Sequence, residues 1–493
     1  MGARRPAVHR RDPASGDYRA PVDGARASPS DRTAVTPPEG RGRCEEAVLA
    51  RAGRAAASRG SPTLGARRVA ASDRTARPAV AAPPPPTGPW TAVSGRPGDP
   101  GTAPEDEERD VSELLDSEVL QVTKDGSSAD PDGFLPTSEP VRLLEPDGTF
   151  HEDPDHPVDL SDDELVELYR RMAVTRRLDR ESINLQRQGQ LGVYASCLGQ
   201  EAAQVGSASA LAKQDWIFPS YRELGAAVVR GVDAGALLHL YRGTWLSDHD
   251  PYEYNFGLLS IPIGTQALHA TGLAMGARFD DNPLVALTYF GDGGTSEGDP
   301  HEAMNFAAVF EAPVIFFVQN NQYAISVPLD RQTKAPTLAH KAIGYGMPGV
   351  RCDGNDVLAS YAVTKRAVER ARRGGGPTFI EAMTYRMEAH TTSDDPSRYR
   401  TKDELADAAK TDPLLRMRNF LGHRGLWSDD LEASCDEAGK EAATALRDSI
   451  YDAPHGDPME VFDHVYVDDT GHYERQRAEL RAELDAGSER GDA

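Results

Sequence analysis

The segment 287–299, "LTYFGDGGTSEGD", contains the turn from which the fold of this chain can be worked out. Residues 284–290, "LVALTYF", form an apolar run typical of a buried strand, and residues 297–311, "EGDPHEAMNFAAVFE", carry apolar residues at helical spacing. The glycines around Asp292 are therefore predicted to lie at a strand-to-helix turn, where open α/β sheets bind ligands. Glycines allow close approach of a bulky ligand, and the helix N-terminus attracts an anion such as phosphate. Because Asp292 would repel a bare phosphate, the turn favours a divalent cation between the two.

The glycine turn does not match two familiar phosphate-binding motifs. The Walker pattern needs a lysine after its last glycine, and the dinucleotide pattern needs a third glycine where this chain has Ser296. An Asp-Gly-Gly turn by itself is most often only a turn, because Asp and Gly favour turns for local reasons. The hypothesis of a ligand site therefore needs support from elsewhere in the chain.

Further strand and helix patterns alternate along the chain. Apolar runs predict strands within 313–321, 349–354 and 377–385, and helical spacing predicts helices over 161–189, from about 199, through 223–231 and over 356–373. This alternation predicts an α/β fold with a mostly parallel sheet covered by helices on both faces. We expect residues 1–138 to form a disordered extension, residues 139–400 the α/β domain, and residues 401–493 a helical region packed beside it.

Composition separates the N-terminal segment from the rest. Residues 1–100 contain 17 Arg, no Lys and 9 acidic residues, a balance of +8, so the net charge of −24 leaves about −32 for the remainder. The segment lacks apolar periodicity and predicts disorder, while the acidic remainder argues against nucleic acid as a ligand. The longest clearly apolar run, "APVIFFV", is too short to cross a membrane. The four cysteines have no metal or redox spacing, so we expect free thiols in a soluble, cytoplasmic protein.

Asp292 and Asn321 are predicted to meet. Consecutive parallel strands of one βαβ unit end at the same edge of the sheet, and these two residues follow such strands 29 positions apart. The carboxylate of Asp292, the amide oxygen of Asn321 and the backbone carbonyl of Tyr323 would supply three hard oxygens to Mg²⁺. Diphosphate oxygens and a water would complete the octahedron.

This paired motif resembles the thiamin diphosphate motif, and longer segments narrow the resemblance. "FGDGGTSEGDPHEAMNFAAVFEAPVIFFVQNNQYAIS", "FPSYRELG", "SIPIGTQ", "VRCDGNDV" and "EAMTYRMEAHTTSDDPSRYR" together resemble the alpha subunit of the E1 component of 2-oxo acid dehydrogenase complexes. The resemblance covers roughly residues 140 to 480, in the same order. It implies thiamin diphosphate and Mg²⁺ as cofactors.

The resemblance also implies roles for individual residues. Asp292, Asn321 and the carbonyl of Tyr323 match the Mg²⁺ ligands, and Gly293 and Gly294 match the turn against the diphosphate. Other matching positions comprise two cofactor contacts, a backbone contact to the aminopyrimidine ring, and the histidine beside the diphosphate and reacting centre: Tyr221, Arg222, Ile263 and His390, respectively. His390 would assist acyl transfer to a lipoyl group, a step that suits a proton donor.

Two loops add expectations of a different kind. In branched-chain members of the family, Ser260, Pro262, Thr265 and Gln266 match a monovalent-cation site, which implies K⁺. Gln319 stands where some of those members have a phosphate-binding arginine. Glu388 stands where a glycine is usual, and we expect it to add a negative charge close to His390.

The implied reaction is oxidative decarboxylation of a 2-oxo acid, followed by reductive acylation of the lipoyl group on the E2 core. No second α/β region follows the first in this sequence, so we expect a separate E1 beta subunit in an α2β2 tetramer. Branched-chain 2-oxo acids such as 2-oxoisovalerate are favoured, with pyruvate as the alternative. A nicotinamide-dependent dehydrogenase leaves Asn321 unexplained, and a nucleic-acid-binding protein conflicts with the acidic body.

Overall fold

The computed structural model describes residues 135–136, 138–243, 249–453, 457–463, 465–467 and 471–491 of the chain. The disorder predicted for residues 1–138 therefore concerns residues that, apart from 135, 136 and 138, lie outside this description. Cys44 also lies outside it. The other three cysteines, Cys197, Cys352 and Cys435, are buried free thiols.

The centre of the fold is a five-stranded sheet in which every pair of neighbouring strands is parallel. The strands of the chain are β1 (Trp216–Phe218), β2 (Ala286–Gly291), β3 (Val314–Asn320), β4 (Tyr323–Ala324), β5 (Val327–Pro328), β6 (Gly349–Asp353) and β7 (Thr378–Met383). The order in the sheet is β1-β2-β3-β7-β6, while β4 and β5 form a small antiparallel hairpin beyond the end of β3. The predicted parallel sheet is confirmed.

Helices cover the sheet and continue to the C-terminal part of the described chain. Those before β3 are α1 (Asp162–Arg187), α2 (Glu201–Ser209), α3 (Leu224–Arg230), α4 (Ala234–Arg242), α5 (Pro251–Tyr254), α6 (Thr265–Phe279) and α7 (Gly298–Val309). The later ones are α8 (Leu329–Gln332), α9 (Val357–Arg370), α10 (Lys402–Ala409), α11 (Pro413–His423), α12 (Asp429–Asp452) and α13 (Glu474–Gly491). None of these helices combines the length and apolar character that a membrane crossing requires.

The two faces of the sheet pack into two separate apolar cores. Leu287 and Tyr289 of β2 belong to the larger core, which includes residues of α1, α2, α9, α11 and α12. Ala286 and Phe290 belong to the other, which includes residues of α6 and α7. This alternation along one strand is the two-residue period of a sheet that is buried on both sides. Helices after residue 400 contribute to the larger core. The predicted domain boundary at residue 400 stays a prediction.

Sequence patterns missed three elements near the sheet. No element was predicted for α4, for the three-residue strand β1, or for α6, although α6 is 15 residues long. The buried face of α6 is made mainly of small residues, including Ala267, Ala270 and Ala274, which give little hydrophobic periodicity. The glycine turn is also more regular than predicted, because residues Asp292–Ser296 form a short 3-10 helix before α7 begins.

Asp356 connects the chain segment before α1 to the start of α9. Its buried carboxylate accepts hydrogen bonds from the backbone N–H groups of Leu143 at 2.7 Å and Leu144 at 2.6 Å. It also accepts from Leu358 at 2.9 Å and Ala359 at 3.0 Å, which makes it the N-cap of α9. One side chain therefore satisfies four backbone donors.

We expect Asp356→Ala to lower the free energy of unfolding by roughly 3 kcal/mol, because it removes a cap and leaves buried N–H donors unpaired. Chemical denaturation would measure this change. Asp233→Ala is a matched control, because Asp233 caps α4 from an exposed position. Its loss should be about 1 kcal/mol. Equal losses in the two variants would contradict the assignment of a four-donor role to Asp356.

Candidate active site

Asp292 and Asn321 lie together at the carboxyl edge of the sheet, as the strand pattern predicts. Strands β2 and β3 are paired with Gly291 opposite Gln319, so the residues just beyond each strand emerge side by side. Both side chains are buried, and Tyr323 follows two positions later in β4. Three oxygen-bearing groups from two neighbouring strand ends thus converge at one point.

The distances within this group fit a small divalent cation. In one orientation of the Asn321 amide, Nδ2 donates to Oε1 of Gln200 at 2.8 Å. Oδ1 then lies 3.1 Å from the Tyr323 carbonyl oxygen and 3.3 Å from Oδ1 of Asp292. Adjacent ligands of an octahedral Mg²⁺ with bonds of about 2.1 Å lie about 3 Å apart. A cation between oxygen acceptors at this spacing would offset their mutual repulsion.

Rotation of the amide gives an arrangement that needs no cation. In the rotated orientation Nδ2 of Asn321 donates to the Tyr323 carbonyl and to Asp292. Gln200 then has to present its own Nε2, the buried nitrogen that lacks a partner in the first orientation. A cation at the site would favour the first arrangement, in which Oδ1 of Asn321 faces Asp292 and the Tyr323 carbonyl. Among the described residues, no group of three or more His, Cys, Asp or Glu side chains is placed so that it could hold a metal ion.

Burial disfavours the charged form of the Asp292 carboxyl. Desolvation raises its pKa, against the lowering effects of a hydrogen bond from Gln332 and the charge of Arg386. Gln332 donates Nε2 to Oδ2 of Asp292 at 2.6 Å, so one carboxylate oxygen is held while the other faces Asn321. A bound cation would stabilise the carboxylate that burial disfavours.

The glycines allow the turn to pack closely against β4. A Cβ atom on Gly293 would lie 2.7 Å from Cβ of Ala324, and one on Gly294 would lie 3.2 Å from Phe290. The turn is held by Thr295, whose hydroxyl donates to the carbonyl of Asp292 at 2.7 Å. Lys341 in turn donates to the carbonyl of Thr295 at 2.9 Å. The approach of β4 therefore requires glycine at position 293, whereas the nearest atoms to Gly294 belong to the side chain of Phe290 in β2.

His390 lies between two arginines. Nη2 of Arg222 is 3.3 Å from Nδ1 of His390, and Nη1 of Arg386 is 3.4 Å from the same atom. Because a guanidinium group can only donate, Nδ1 is the acceptor and the neutral ring carries its proton on Nε2. Burial and the two positive charges lower the pKa of His390 to about 4, while the carboxylate of Asp394 opposes them.

Arg222 and Tyr221 line the site from the loop after β1. The Arg222 guanidinium is buried and donates to the backbone carbonyl of His390 at 2.8 Å and to that of Ser196. It lies over the ring of Tyr221 at 5.5 Å. These contacts fix a positive charge beside His390, which suits an anionic ligand.

Arg386 was missed by sequence reasoning. It is almost fully buried at the end of β7, and it donates to the carbonyls of Tyr323 at 3.1 Å and Ile325 at 2.7 Å. The sequence did contain a signal. Arg386 follows closely on an apolar strand and precedes His390 by four positions, and arginine is rarely buried without a partner. Gln200 was also missed. It lies just before α2 in a segment of small and polar residues, which gives no distinctive signal.

Gln319 and Glu388, the two residues expected to depart from the pattern that the sequence resembles, have different surroundings. Gln319 donates to Glu223 at 2.6 Å and accepts from Gln204 at 3.0 Å, so its amide is engaged at both ends. Glu388, by contrast, is exposed. The carboxylate beside His390 is that of Asp394, which accepts from the backbone N–H of His390 at 2.9 Å. The structure adds Asp394 as a carboxylate in contact with His390, and the expectation that Glu388 adds a negative charge close to His390 stays a prediction.

The predicted K⁺ loop is only partly brought together. The Ser260 hydroxyl donates to the carbonyl of Pro262 at 3.1 Å. Thr265 donates instead to Asp299 at 2.8 Å, and Gln266 donates to the carbonyl of Tyr289 at 2.6 Å. The K⁺ site stays a prediction.

An open cavity of about 210 Å³ lies at the centre of this region. It is lined by each residue that the sequence singled out for the cofactor and its metal: Tyr221, Arg222, Ile263, Asp292, Gly293, Gly294, Asn321, Tyr323 and His390. Ile263 is partly exposed at the cavity. The chain is thus an α/β protein whose candidate ligand site lies at the carboxyl ends of parallel strands.

Comparison with known proteins assigns the family. Residues 169–455 match the family described as the dehydrogenase E1 component, and the chain belongs to that family. The alpha subunit of 3-methyl-2-oxobutanoate dehydrogenase from Mycobacterium tuberculosis (strain ATCC 25618 / H37Rv) is 53% identical over 349 residues, which cover 70% of this chain and 94% of that protein. The alpha subunit of the pyruvate dehydrogenase E1 component from Staphylococcus aureus (strain N315) is 47% identical over 303 residues, or 61% of this chain and 82% of that protein. The resemblance to E1 alpha subunits is confirmed.

We expect His390 to stay neutral down to about pH 4 in the cofactor-free chain and to become more basic when a phosphate-bearing ligand binds. Between a pKa near 6.5 in the unfolded chain and about 4 in the folded one, the unfolded chain binds more protons. Acidification across this window therefore lowers stability. NMR titration of ring-labelled histidine would test this, with His390→Asn to assign the signal. A pKa near 6.5 without ligand would contradict the arrangement.

Proposed function

We propose that this chain provides the diphosphate-binding half of an E1 active site and, with a beta subunit, catalyses thiamin diphosphate-dependent oxidative decarboxylation of a 2-oxo acid. The observation that carries the proposal is the oxygen cluster of Asp292, Asn321 and Tyr323 in the same cavity as Arg222 and His390. The family as a whole uses thiamin diphosphate. The cofactor supplies the electron sink for decarboxylation when it is bound.

The residues of this chain would bind and orient the cofactor. Asp292, Asn321 and the carbonyl of Tyr323 would hold Mg²⁺, and the cation together with Arg222 would attract the diphosphate. Gly293 and Gly294 keep side chains out of the turn that the diphosphate approaches. Ile263 would contact the aminopyrimidine ring through its backbone.

His390 would hold the proton needed near the reacting centre. With Nδ1 directed at two arginines, the N–H on Nε2 is the donor that the ring can offer to a reaction partner. Proton transfer to or from the acyl acceptor, the lipoyl group of an E2 core, fits this role. Diphosphate oxygens nearby would raise the pKa of His390 towards neutrality and so improve it as an acid–base group.

A beta subunit is supported by the size and lining of the cavity. A volume of about 210 Å³ is less than the roughly 300–1,000 Å³ of sites that enclose a drug-sized ligand. Two apolar side chains at the cavity remain exposed, Ile263 by 42% and Ile325 by 56%, and Leu258 and Ile261 are exposed close to Ile263 in sequence. Apolar residues around an incomplete ligand site indicate that a second chain covers it. We propose a partner beta subunit on this basis, in the α2β2 tetramer that the resemblance to E1 alpha subunits implies.

Substrate choice rests on the sequence segments and the relatives together. The relative that shares 53% identity is named for 3-methyl-2-oxobutanoate, and the one that shares 47% is named for pyruvate. We therefore propose branched-chain 2-oxo acids as substrates, with pyruvate as the second candidate. One additional methylene in an apolar pocket changes binding by only about 1–3 kcal/mol, so modest changes in the pocket can exchange the two.

We expect Asp292→Ala to abolish Mg²⁺-dependent binding of thiamin diphosphate, because it removes the carboxylate of the donor set. Calorimetry of the complex with the beta subunit, with and without Mg²⁺, would measure the affinity. Asp299→Ala is the control, since Asp299 bonds Thr265 in the neighbouring loop and lies outside the oxygen cluster. Unchanged cofactor affinity in Asp292→Ala would refute the ligand assignment.

We expect the chain alone to show no decarboxylation, and the reconstituted complex to prefer 2-oxoisovalerate over pyruvate in kcat/KM. Half of the cofactor pocket is proposed to come from the beta subunit. Decarboxylation of 2-oxoisovalerate and of pyruvate should therefore be undetectable until the beta subunit is added. Decarboxylation is followed with a chemical electron acceptor. Turnover by the single chain would refute the two-chain site, whereas a preference for pyruvate in the complex would overturn only the substrate.

A further inference from the structure

The turn that carries Tyr323 has an unfavourable backbone conformation on both sides. Gln322 has φ = 77° and Ile325 has φ = 55°, and neither residue is a glycine. The left-handed region is particularly unfavourable for a β-branched residue such as Ile325. Conformations of this kind persist only where the surrounding structure holds them, and they concentrate at functional sites.

Two donors on Arg386 hold the backbone of this turn from one side. They reach the carbonyls of Tyr323 at 3.1 Å and Ile325 at 2.7 Å. A carbonyl oxygen has two lone pairs, so the oxygen of Tyr323 can accept from Arg386 and still face a cation. The backbone contacts alone leave the direction of the Tyr323 side chain undetermined.

Glu404 holds the side chain of Tyr323 from α10. The hydroxyl of Tyr323 donates to Oε1 of Glu404 at 2.8 Å, and the hydroxyl of Tyr385 donates to the same oxygen at 3.1 Å. Glu404 lies in the first turn of α10, where its backbone N–H donates to the N-cap Thr401 at 3.2 Å. The cap therefore fixes the backbone from which the Glu404 carboxylate extends. Burial, and then the hydrogen bond to Glu404, raise the pKa of Tyr323, which keeps its hydroxyl a donor.

We propose that Glu404 is a positioning residue for the metal site, which fixes the carbonyl of Tyr323 by holding its ring; this inference rests on the proposed Mg²⁺ site. The hydroxyl, the ring and the carbonyl belong to one residue of a two-residue strand, which is flanked by Gln322 and Ile325 in unfavourable conformations. Loss of the bond to Glu404 allows the strained turn to relax, and relaxation moves a metal ligand. Tyr385 shares the same carboxylate oxygen but lies after β7, outside this turn.

Four single variants and one double variant test the proposal in the complex with the beta subunit. Tyr323→Phe removes the hydroxyl while it retains the ring and the carbonyl. Glu404→Ala removes the acceptor, and Glu404→Gln restores an oxygen that accepts. Tyr385→Phe is the matched control, because it removes the other bond to the same oxygen. The measurement is the Mg²⁺ concentration for half-maximal binding of thiamin diphosphate, determined by calorimetry.

We expect Tyr323→Phe and Glu404→Ala each to raise this concentration about three- to tenfold, as for the loss of the net contribution of one ordinary hydrogen bond. The double variant Tyr323→Phe/Glu404→Ala should bind Mg²⁺ no more weakly than either single variant, because both substitutions remove the same bond. Glu404→Gln should recover most of the Mg²⁺ affinity, and Tyr385→Phe should leave it within about twofold of the unaltered chain.

Several outcomes would overturn the proposal. These are an unchanged Mg²⁺ requirement in Tyr323→Phe, an equal effect of Tyr385→Phe, or additive losses in the double variant. If Glu404→Ala does not fold, Tyr323→Phe together with Glu404→Gln decides the matter. Asp292→Ala separates this inference from the proposed function: if it loses Mg²⁺ dependence while Tyr323→Phe does not change, only the role of Glu404 is refuted.

Discussion

The parallel pairing of β2 with β3 is the constraint on which the candidate site depends. Gly291 opposite Gln319 places Asp292 and the end of β3 at one level of the sheet. A slip of one residue would shift a strand by about 3.3 Å and turn its side chains to the opposite face. That shift is as large as the 3.1 and 3.3 Å separations between the proposed ligand atoms. Burial of β2 and β3 on both faces fixes the register and therefore the site.

The donor set explains why the site suits an anionic ligand as well as a cation. One carboxylate and two neutral oxygens would leave a bound Mg²⁺ with a net positive charge, and Arg222 and Arg386 add to it. Further carboxylates would have bound the metal more strongly but would have repelled a diphosphate. A neutral amide ligand has to be oriented, because Asn321 could turn either its oxygen or its nitrogen towards the cation. Gln200 meets this requirement by accepting from Asn321.

Much of the fold and the centre of the site could be predicted from local patterns. Apolar runs located β2, β3, β6 and β7, and the rule that parallel strands end at one edge brought Asp292 to Asn321. Helix α6 was missed because alanines form its buried face, and β1 because three residues give no period. Arg386, Gln200 and Glu404 were missed for another reason. Their importance comes from contacts across the fold, such as the 81 positions between Tyr323 and Glu404.

Gln319 affects the electrostatics of the cavity through its contact with Glu223. Its amide bonds Glu223, a buried carboxyl whose pKa is raised by desolvation. An arginine here would pair with Glu223 as a charge, whereas glutamine offers only a hydrogen bond, as does the hydroxyl of Ser220 at 2.8 Å. Glu223 is therefore more easily neutralised by a proton. The positive charge available to the proposed diphosphate would then come from Arg222, Arg386 and the proposed cation, which increases the importance of the oxygen cluster of Asp292, Asn321 and Tyr323.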